Sequence, residues 1–286
     1  MIRTQIDLKI EQGKCIRCGL CVNECQNRAI EMDPETNYPR VTPEKGDARC
    51  MHCRHCMMIC PSGALSMDGL RVEDCLPPGK YPSYDELVNL VRNRRSFRYY
   101  KQKNVDRAVL AELMDAMRYV PTGKNDHRLH FSLIDDIEVM NAFRDKTYAK
   151  ICDIFGDETK EVPEKFKPYA HTYYQYKNGQ DLIFRTAPHV LFVSVPANAP
   201  TPDADPLIAV SYFELLAQAH GIATVWFGRI LMMYRAGILP DFLEPFRIPE
   251  GYIPGYAILF GESDLEFKRI APPDSIEIYT VTKNDI

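Results

Sequence analysis

The chain has 286 residues, of which 45% are hydrophobic and 26% are charged, so it can bury one large core or two unequal ones. Its formal net charge of −4 provides no overall attraction to nucleic acid or to anionic membranes, and we expect neither as a partner. No stretch approaches the about 20 apolar residues of a membrane-spanning helix, and residues 1–14 lack the apolar core of a signal peptide. We therefore expect a cytoplasmic protein, in which ten cysteines indicate metal binding or catalysis more than disulfides.

Two cysteine runs with the same spacing form an internal repeat near the start of the chain. Residues 15–33 read CIRCGLCVNECQNRAIEMD, and residues 50–68 read CMHCRHCMMICPSGALSMD. Both copies have the spacing C-x2-C-x2-C-x3-C, followed by an alanine, an aliphatic residue and a Met-Asp pair at the same offsets. Two copies of one small unit predict a domain with approximate twofold symmetry.

This spacing is that of cysteines that bind [4Fe-4S] clusters, and in such a run the fourth cysteine binds the other cluster. We expect each fourth cysteine to lie at the start of a helix. The predicted ligands of one cluster are Cys15, Cys18, Cys21 and Cys60, and those of the other are Cys50, Cys53, Cys56 and Cys25. The pattern resembles the bacterial two-cluster ferredoxins over about residues 1–76, although Gln26 stands where the second run has the more usual Pro61.

Structural zinc is the alternative interpretation of the cysteine runs. Zinc sites usually combine one C-x2-C pair with a second pair or with histidines, whereas each run here has a third and a fourth cysteine at iron–sulfur spacing. His52 and His55 lie inside the second run, but eight cysteines already satisfy two clusters, so we expect these histidines to support the ligands or to be exposed. Cys75 and Cys152 remain, and both are predicted to be small buried hydrophobic residues.

Residues 75–86, CLPPGKYPSYDE, hold three prolines and a glycine and therefore predict a linker, at residues 77–84, between domains at residues 1–76 and 85–286. The second domain is predicted to contain helices from Tyr84 to about Asn93, from an Asp106 cap, and from Asp205 to a stop at Gly221. Strands are predicted from Leu129, His189 and Tyr252. Long helices that alternate with a few strands predict an α+β fold. The sequence contains no strand–GxGxxG–helix unit, so we do not expect a Rossmann dinucleotide site.

The sequence RNRRSFRYY at residues 92–100 concentrates positive charge where the first of these helices is predicted to end. In an extended chain Arg94, Ser96 and Arg98 share one side, and two guanidinium groups beside a hydroxyl suit a phosphate. Phe97 and Tyr99 would then point into the packing. A solvated basic helix end or a nucleic-acid patch is the alternative, and local composition alone leaves both interpretations open.

The segment RRSFR, followed by an aromatic residue, resembles the opening motif of the nitroreductase family of FMN-dependent flavoproteins. Three further segments are similar to that family in the same order: VPTGKNDHRLHF from Val120, LLAQAHGIATVWFGR from Leu215 and FGESDLEFKRI from Phe260. The resemblance covers about residues 84–286, with His127, Arg128 and Leu129 where the family commonly has Gln-Pro-Trp. It implies that FMN is bound by Arg94, Arg95, Ser96, Arg98, Thr122, Gly123, Asn125, Trp226, Phe227, Gly228, Arg229, Lys268 and Arg269. For Trp226 a role in the core is the alternative.

Members of that family are homodimers with FMN at the subunit interface, and the resemblance implies the same for this chain. It also implies that the tail after Asp274 wraps the partner subunit. Four tyrosines are expected near the substrate mouth, with plain core packing as the alternative for each: Tyr169, Tyr173, Tyr174 and Tyr176.

Together the two resemblances predict an iron–sulfur flavoprotein oxidoreductase in which electrons enter two [4Fe-4S] clusters, pass to FMN and reduce an organic acceptor. The acceptor classes that the family implies are nitroaromatic compounds, quinones and activated alkenes. The alternative is an electron-transfer flavoprotein that passes electrons to a partner protein and binds no small substrate. A redox protein or NAD(P)H is the candidate donor, and no residue is identified from the sequence as a catalytic acid or base.

Overall fold

The computed structural model describes residues 5–157, 159 and 161–286, so the first four residues of the predicted first domain lie outside the described residues. The contacts divide the chain into two compact units. The cysteine-rich unit comprises Met1–Tyr81, Pro121–Arg128 and Asn198–Asp205, and the larger unit comprises Pro82–Val120, Leu129–Ala197 and Pro206–Ile286. The units are defined by contacts, whereas the domain boundaries predicted above concern order along the chain and stay a prediction.

The cysteine-rich unit is built from short elements that pair across the repeat. Strand β1, which precedes the first cysteine run, pairs with β4, which follows the second run. Strand β2, which follows the first run, pairs with β3, which precedes the second run, and both pairs are antiparallel. Each two-stranded sheet therefore takes one strand from each half. The strands are β1 (Leu8–Ile10), β2 (Ile30–Met32), β3 (Pro39–Val41) and β4 (Leu65–Met67), and the helices are α1 (Leu20–Glu24), α2 (Gly46–Arg49) and α3 (His55–Met58). Two 3-10 turns complete this unit, at Val72–Asp74 and Gly123–Asn125.

The two repeats also share the same irregular backbone positions. Three pairs of equivalent residues are left-handed, with φ between 50° and 74°: Arg17 with His52, Gly19 with Arg54, and Arg28 with Gly63. This conformation costs a residue with a side chain about 1–2 kcal/mol, so its recurrence at equivalent positions reflects a shared constraint on both runs. The equivalent alanines, Ala29 and Ala64, are each 2% exposed and lie in the small core of this unit.

The larger unit is a four-stranded antiparallel sheet of order β5-β6-β8-β7 between two sets of helices. Strand β6 is buried along its whole length. Val190 and Phe192 on one of its faces pack in a cluster with residues of α6 (Ile137–Phe155) and α9 (Gly228–Arg235). Leu191 and Val193 on the other face pack with α5 (Arg107–Ala116) and α8 (Asp205–Ala219). The strands are β5 (His130–Ile134), β6 (His189–Pro196), β7 (Ala223–Trp226) and β8 (Tyr252–Gly261).

The helices of the larger unit include those that the sequence predicts, from Tyr84, from the Asp106 cap and from Asp205, together with further helices whose bounds it does not predict. They are α4 (Tyr84–Asn93), α5 (Arg107–Ala116), α6 (Ile137–Phe155), α7 (Ala170–Lys177), α8 (Asp205–Ala219, with its first residue in the cysteine-rich unit) and α9 (Gly228–Arg235). The Asp106 carboxylate accepts a hydrogen bond from the Ala108 N–H and so caps α5. Helix α8 ends shortly before Gly221, which is left-handed at φ 74°. Further 3-10 turns lie at Met117–Tyr119, Glu164–Tyr169, Pro240–Phe246 and Lys283–Asp285.

A search of the described residues for a helix with the length and apolar character of a membrane span finds none.

Gly46 at the start of α2 tests how tightly the two repeats are packed. A Cβ atom added there would lie 2.5 Å from Val41 Cγ1 and 2.7 Å from the Ala29 carbonyl oxygen. We expect Gly46→Ala to destabilise the cysteine-rich unit by about 1–3 kcal/mol, as overpacking generally does. Differential scanning calorimetry of the purified full chain measures this as a lower unfolding temperature.

Gly13→Ala is the matched control, because a Cβ atom there meets nothing within 4 Å. It should change the free energy of unfolding by less than about 0.5 kcal/mol. Equal unfolding temperatures for the two variants would contradict the packing described for Gly46.

Candidate metal and cofactor sites

Four thiols of the first predicted cluster site line one pocket. Cys15, Cys18 and Cys21 come from the first run, and Cys60 comes from the second run, where it follows α3. Gly19 and Arg54 are the left-handed residues from which α1 and α3 begin. The donor set thus crosses from one repeat to the other, as the spacing predicts.

The prediction that each fourth cysteine starts a helix is wrong. Helix α1 begins at Leu20 and already contains Cys21, and Cys25 directly follows its last residue. The same holds for α3, in which Cys56 lies inside the helix and Cys60 lies just beyond its end. Each helix contains the third cysteine of its run and ends shortly before the fourth. The fourth cysteine therefore lies at the carboxyl end of the helix.

The second predicted set, Cys25, Cys50, Cys53 and Cys56, is also close enough for its thiols to influence one another. Burial raises the pKa of Cys50, and the neighbouring thiols of Cys53 and Cys25 raise it further. Burial raises the pKa of Cys56 to about 12, with a smaller contribution from Cys53 and Cys50. Because a metal binds thiolates, loading this set with iron must release these protons.

Backbone N–H groups point at the sulfur atoms in both runs. The Ala29 N–H donates to Cys25 Sγ at 3.2 Å, and the equivalent Ala64 N–H donates to Cys60 Sγ at 3.3 Å. Burial would raise the pKa of Cys60, but hydrogen bonds led by that from Ala64 outweigh it and lower the pKa. Donors aimed at sulfur favour the thiolate form that binds metal.

The donor set and the surrounding polar atoms fit iron–sulfur clusters. Among the described residues, no three Cys, His, Asp or Glu side chains converge as ligands of a single ion. The four thiols of the first set instead line one pocket, and in a cubane cluster each thiolate binds a different iron. Arg54 Nε and His52 Nε2, in the loop of the second run, are buried without a hydrogen-bond partner in the described part of the chain. A polar group bound between the thiols would give such atoms a partner.

The two histidines of the second run bond to carboxylates. His52 Nδ1 lies 2.9 Å from Asp68 Oδ2, and His55 Nδ1 lies 3.1 Å from Glu24 Oε1. Cys75 is exposed, so the prediction that it is buried is wrong, and Cys152 on α6 is half-buried. Cys75 lies beyond the strands and helices of its unit, in the proline-rich stretch, where no core is available to cover it.

The arginine-rich segment of the larger unit leaves α4 at Arg94 and runs beside strand β7. The Phe97 N–H donates to the Thr224 carbonyl at 2.9 Å, and Ser96 forms a single parallel bridge with Thr224. Arg94 lies 3.2 Å from Glu214, a carboxylate of α8 whose side chain is only 8% exposed. Gln218 of the same helix donates to the Arg95 carbonyl at 3.0 Å. The segment is therefore anchored along its length.

The alternation predicted for this segment holds only in part. Phe97 packs against the core, but Tyr99 is 71% exposed, so the prediction that it points inward is wrong. Tyr100 is the buried residue instead, and its hydroxyl donates to the Phe97 carbonyl at 3.0 Å. No regular strand continues past the bridge at Ser96, which removes the two-residue period on which the prediction depends.

The structure brings the predicted basic pair, Lys268 and Arg269, to the arginine-rich segment. The ring of Phe267, the preceding residue, meets the ring of Phe97 edge to face with centroids 5.3 Å apart. Lys268 forms an ion pair with Glu266, whereas neither Arg98 nor Arg269 has a carboxylate partner among the described residues. Arginines without a carboxylate partner can bind an anion such as a phosphate.

The other arginines and the turn after β7 are already engaged by the protein. Arg95 donates to the carbonyls of Arg92 and Arg94 at 2.7 Å each. Trp226 packs against Tyr256 with centroids 5.0 Å apart, and the ring of Phe227 is 1% exposed and lies in the core. Helix α9 begins at Gly228, and the next residue, Arg229, donates to the buried Thr172 hydroxyl at 3.3 Å.

The predicted FMN segment around Thr122, Gly123 and Asn125 belongs by its contacts to the cysteine-rich unit. The Gly123 N–H donates to the buried Asp205 carboxylate at 3.0 Å. Asn125 donates through Nδ2 to the His52 carbonyl at 3.3 Å, and its Oδ1 lies 2.7 Å from His127 Nε2. Of the predicted FMN residues, Thr122, Gly123 and Asn125 therefore belong to the cysteine-rich unit, and the others belong to the larger unit.

Several residues that organise these sites escaped the sequence reasoning. Glu214 is a buried acid in the apolar stretch of α8. A buried charge needs a partner, so its place in the sequence indicates that a basic residue pairs with it, and that residue is Arg94. Asp205 and Phe267 carried no such signal. Of the tyrosines predicted at a substrate mouth, Tyr174 is 60% exposed, whereas Tyr176 stacks on Tyr148 with centroids 3.9 Å apart.

Comparisons with curated proteins find similarity over short stretches. A probable oxidoreductase, YjgC, of Bacillus subtilis (strain 168) is 30% identical over 73 residues, or 23% of this chain. A putative formate dehydrogenase of Staphylococcus aureus (strain USA300) is 31% identical over 65 residues, or 20% of this chain. The chain covers only 7% of the length of either relative, so their activities do not transfer as findings.

Solved structures resemble the chain over a longer range. A nitroreductase with bound FMN from Bacteroides fragilis NCTC 9343 matches with a TM-score of 0.52 and 18% identity, covering 68% of this chain and 99% of that one. A nitroreductase with bound FMN from Desulfitobacterium hafniense DCB-2 matches with a TM-score of 0.53 and 20% identity, covering 68% and 98%. At these identities the likeness shows the fold.

Family models account for both parts of the chain. Residues 14–64 match the 4Fe-4S dicluster domain, which includes all eight cysteines of the two runs. Residues 91–262, more than half of the chain, match the nitroreductase family. The chain therefore belongs to the nitroreductase family and has a 4Fe-4S dicluster domain near its start.

Proposed function

We propose that the protein is a cytoplasmic iron–sulfur flavoprotein oxidoreductase that passes electrons from two [4Fe-4S] clusters to FMN and on to an organic acceptor. The observation that carries the proposal is the presence, in one chain, of a pocket lined by four thiols, of a second group of thiols that influence one another, and of an anchored basic segment in a nitroreductase fold. The acceptor classes proposed are nitroaromatic compounds, quinones and activated alkenes.

The two thiol sets are the proposed cluster ligands. Cys15, Cys18, Cys21 and Cys60 would hold one cluster, and Cys25, Cys50, Cys53 and Cys56 would hold the other. The N–H groups of Ala29 and Ala64 would stabilise the bound thiolates of the two crossing cysteines, Cys25 and Cys60. Hydrogen bonds to sulfur of this kind tune the potential of a cluster.

The basic segment is the proposed holder of the FMN phosphate. Arg98, Lys268 and Arg269 offer charge and N–H donors, and the Ser96 hydroxyl offers a further hydrogen bond. Arg94, at the start of the same segment, is held by its ion pair with Glu214. Arg95, Thr122, Gly123, Trp226, Phe227, Gly228 and Arg229 stay proposed FMN contacts. When bound, FMN accepts electrons one at a time and gives them up as a pair.

Asn125 can still contact FMN although its amide is engaged within the protein. A carboxamide has two N–H donors and two acceptor lone pairs. The Asn125 amide donates one N–H to the His52 carbonyl, and its oxygen uses one lone pair for the His127 ring. One N–H donor and one lone pair of Asn125 therefore remain. These are the groups that would meet the pyrimidine edge of the flavin.

The C-terminal tail supports the proposal of a homodimer with FMN at its interface. Ile276 and Ile278 are 78% and 77% exposed, and Tyr279 and Val281 are also mostly exposed. A chain segment with this density of exposed apolar side chains suits burial against another surface. A second copy of the chain is the partner that the family implies.

The cofactor content is the first test of the proposed function. Protein purified without oxygen should contain about eight irons and one FMN per chain, with the absorption of both groups. Cys60→Ser should lower the iron content, because it removes a thiolate from one cluster site. Cys75→Ser is the matched control and should leave iron unchanged, since Cys75 belongs to neither set.

The same preparation separates the enzyme from a relay flavoprotein. With reduced methyl viologen as donor, it should reduce a nitroaromatic compound or a quinone in steady state, faster than the donor alone does. Zinc without iron or flavin would contradict the proposal. Full cofactor content without turnover of any small acceptor would favour a relay to a partner protein.

Arg98→Ala tests the proposed phosphate site. We expect the dissociation constant of FMN to rise roughly 10- to 100-fold, as for the loss of one hydrogen bond to a charged group, while iron content is unchanged. Equilibrium dialysis of FMN measures this. Arg118→Ala, which removes an exposed arginine paired with Asp115, is the control and should retain FMN fully. Equal retention in both variants would exclude Arg98 from the site.

The tail is tested by the double change Ile276→Asn and Ile278→Asn. Burying each isoleucine stabilises an interface by about 1.5–3 kcal/mol, so the variant should dissociate at far higher protein concentration than the unaltered chain. Analytical ultracentrifugation measures this. Val139→Asn, which removes an exposed apolar side chain from α6, should not weaken the dimer. A chain that is monomeric without any change would rule out the dimer.

A further inference from the structure

The loop of the second cysteine run is in contact with the segment that we propose binds FMN. His52 lies between Cys50 and Cys53, and its carbonyl accepts a hydrogen bond from Asn125 Nδ2 at 3.3 Å. The His52 N–H in turn donates to Cys50 Sγ at 3.3 Å. One residue of the second run therefore bonds to a cluster thiol on one side and to Asn125 on the other.

The internal repeat supplies a comparison for this contact. Arg17 occupies the position in the first run that His52 occupies in the second, and it is exposed, with its guanidinium over the Tyr38 ring. Cys18 is exposed, whereas its equivalent Cys53 is half-buried. The two runs share the same strand pairing and the same left-handed positions. The lower solvent exposure of the second run at His52 and Cys53 is therefore a departure from the repeat.

The segment that bonds to the second run has several left-handed residues. Lys124, Asn125 and His127 are all left-handed, with φ of 52°, 57° and 48°. Such conformations cost of order 1–3 kcal/mol each and persist only where the surroundings enforce them. Here the Asp205 carboxylate holds the Gly123 N–H, and the Thr122 hydroxyl accepts from the His127 N–H at 2.9 Å.

We infer that Asn125 docks the Cys50–Cys53 loop against the FMN-binding segment, so that the chain hands electrons to FMN from the second thiol set. That set is Cys25, Cys50, Cys53 and Cys56. The chain receives electrons at the first set, whose Cys18 is open to an external donor. Asn125 acts as a positioning residue. The inference rests on the proposed function and adds the order in which its cofactors are used.

The electron balance defines what passes through this loop. Full reduction of one FMN needs two electrons, so the chain must conduct two in succession through the Cys50–Cys53 loop. Each is replaced by one electron from an external one-electron reductant that delivers to the first set. That reductant is oxidised by one electron each time, and the proton that joins reduced FMN comes from water.

The repeat provides a matched pair of variants to test this order. Cys18→Ser and Cys53→Ser change equivalent ligands of the two sets. Each protein is mixed anaerobically with reduced methyl viologen in a stopped-flow instrument, and FMN bleaching is followed. Electron paramagnetic resonance records which cluster signal is altered. The FMN-loaded protein stripped of iron measures direct reduction by the viologen.

We expect Cys53→Ser to slow FMN reduction to this direct background. Cys18→Ser should retain FMN reduction above it, because a small reductant can reach the second set directly. The reverse ranking, or equal rates in the two variants, would overturn the inference.

Asn125→Leu tests the contact itself without altering any cysteine of the two sets. We expect FMN reduction to slow about fivefold, the effect of losing one hydrogen bond, and the signal of the second cluster alone to shift. Asn104→Leu is the matched control, since the Asn104 amide also joins two segments, by accepting from the Ile137 N–H at 2.7 Å, and lies outside the cysteine-rich unit. It should lower the unfolding temperature similarly but leave the rate unchanged. If Asn125→Leu fails to fold, His127→Ala frees the Asn125 amide and should give a smaller slowing.

An unchanged rate in Asn125→Leu with iron and FMN intact would overturn the inference and leave the proposed function standing. Absence of iron or FMN from the unaltered protein would instead remove the proposed function itself.

Discussion

A cubane cluster needs four thiolates around it, and neither cysteine run of this chain supplies four to one pocket. Cys60 crosses from the second repeat to complete the pocket of Cys15, Cys18 and Cys21. The strands cross in the same way, because β1 pairs with β4 and β2 with β3. The proposed ligand sets and the observed strand pairs both join the two repeats, so we expect metal binding and folding of this unit to be coupled.

Buried polar contacts play the corresponding role in the larger unit and at the inserted segments. Glu214 on α8 holds Arg94, which sets the start of the basic segment, and Thr224 of β7 holds Phe97 further along. In the cysteine-rich unit, Asp205 holds Gly123. Each contact costs desolvation of a charged or polar group, which is recovered only with the partner in place, and so each gives a functional segment one defined position.

Sequence reasoning succeeded where the signal is local. The Asp106 cap, the stop before Gly221 and the strands β5 and β6 depend on residues a few positions apart, and the structure agrees with these predictions. It failed where distant residues decide. The partners Arg94 and Glu214 are 120 residues apart, and Asn125 and His52 are 73 apart. The inward position of Tyr100 in place of Tyr99 depends on where the bridge to Thr224 ends, which spacing alone does not encode.

The most direct measurement of the central claim is an anomalous difference map at the iron absorption edge, from crystals grown without oxygen. The account predicts two compact iron peaks in each chain. One should be surrounded by Cys15, Cys18, Cys21 and Cys60, and the other by Cys25, Cys50, Cys53 and Cys56. A single peak, a mononuclear ion, or a cluster whose four thiolates all come from one run would contradict it.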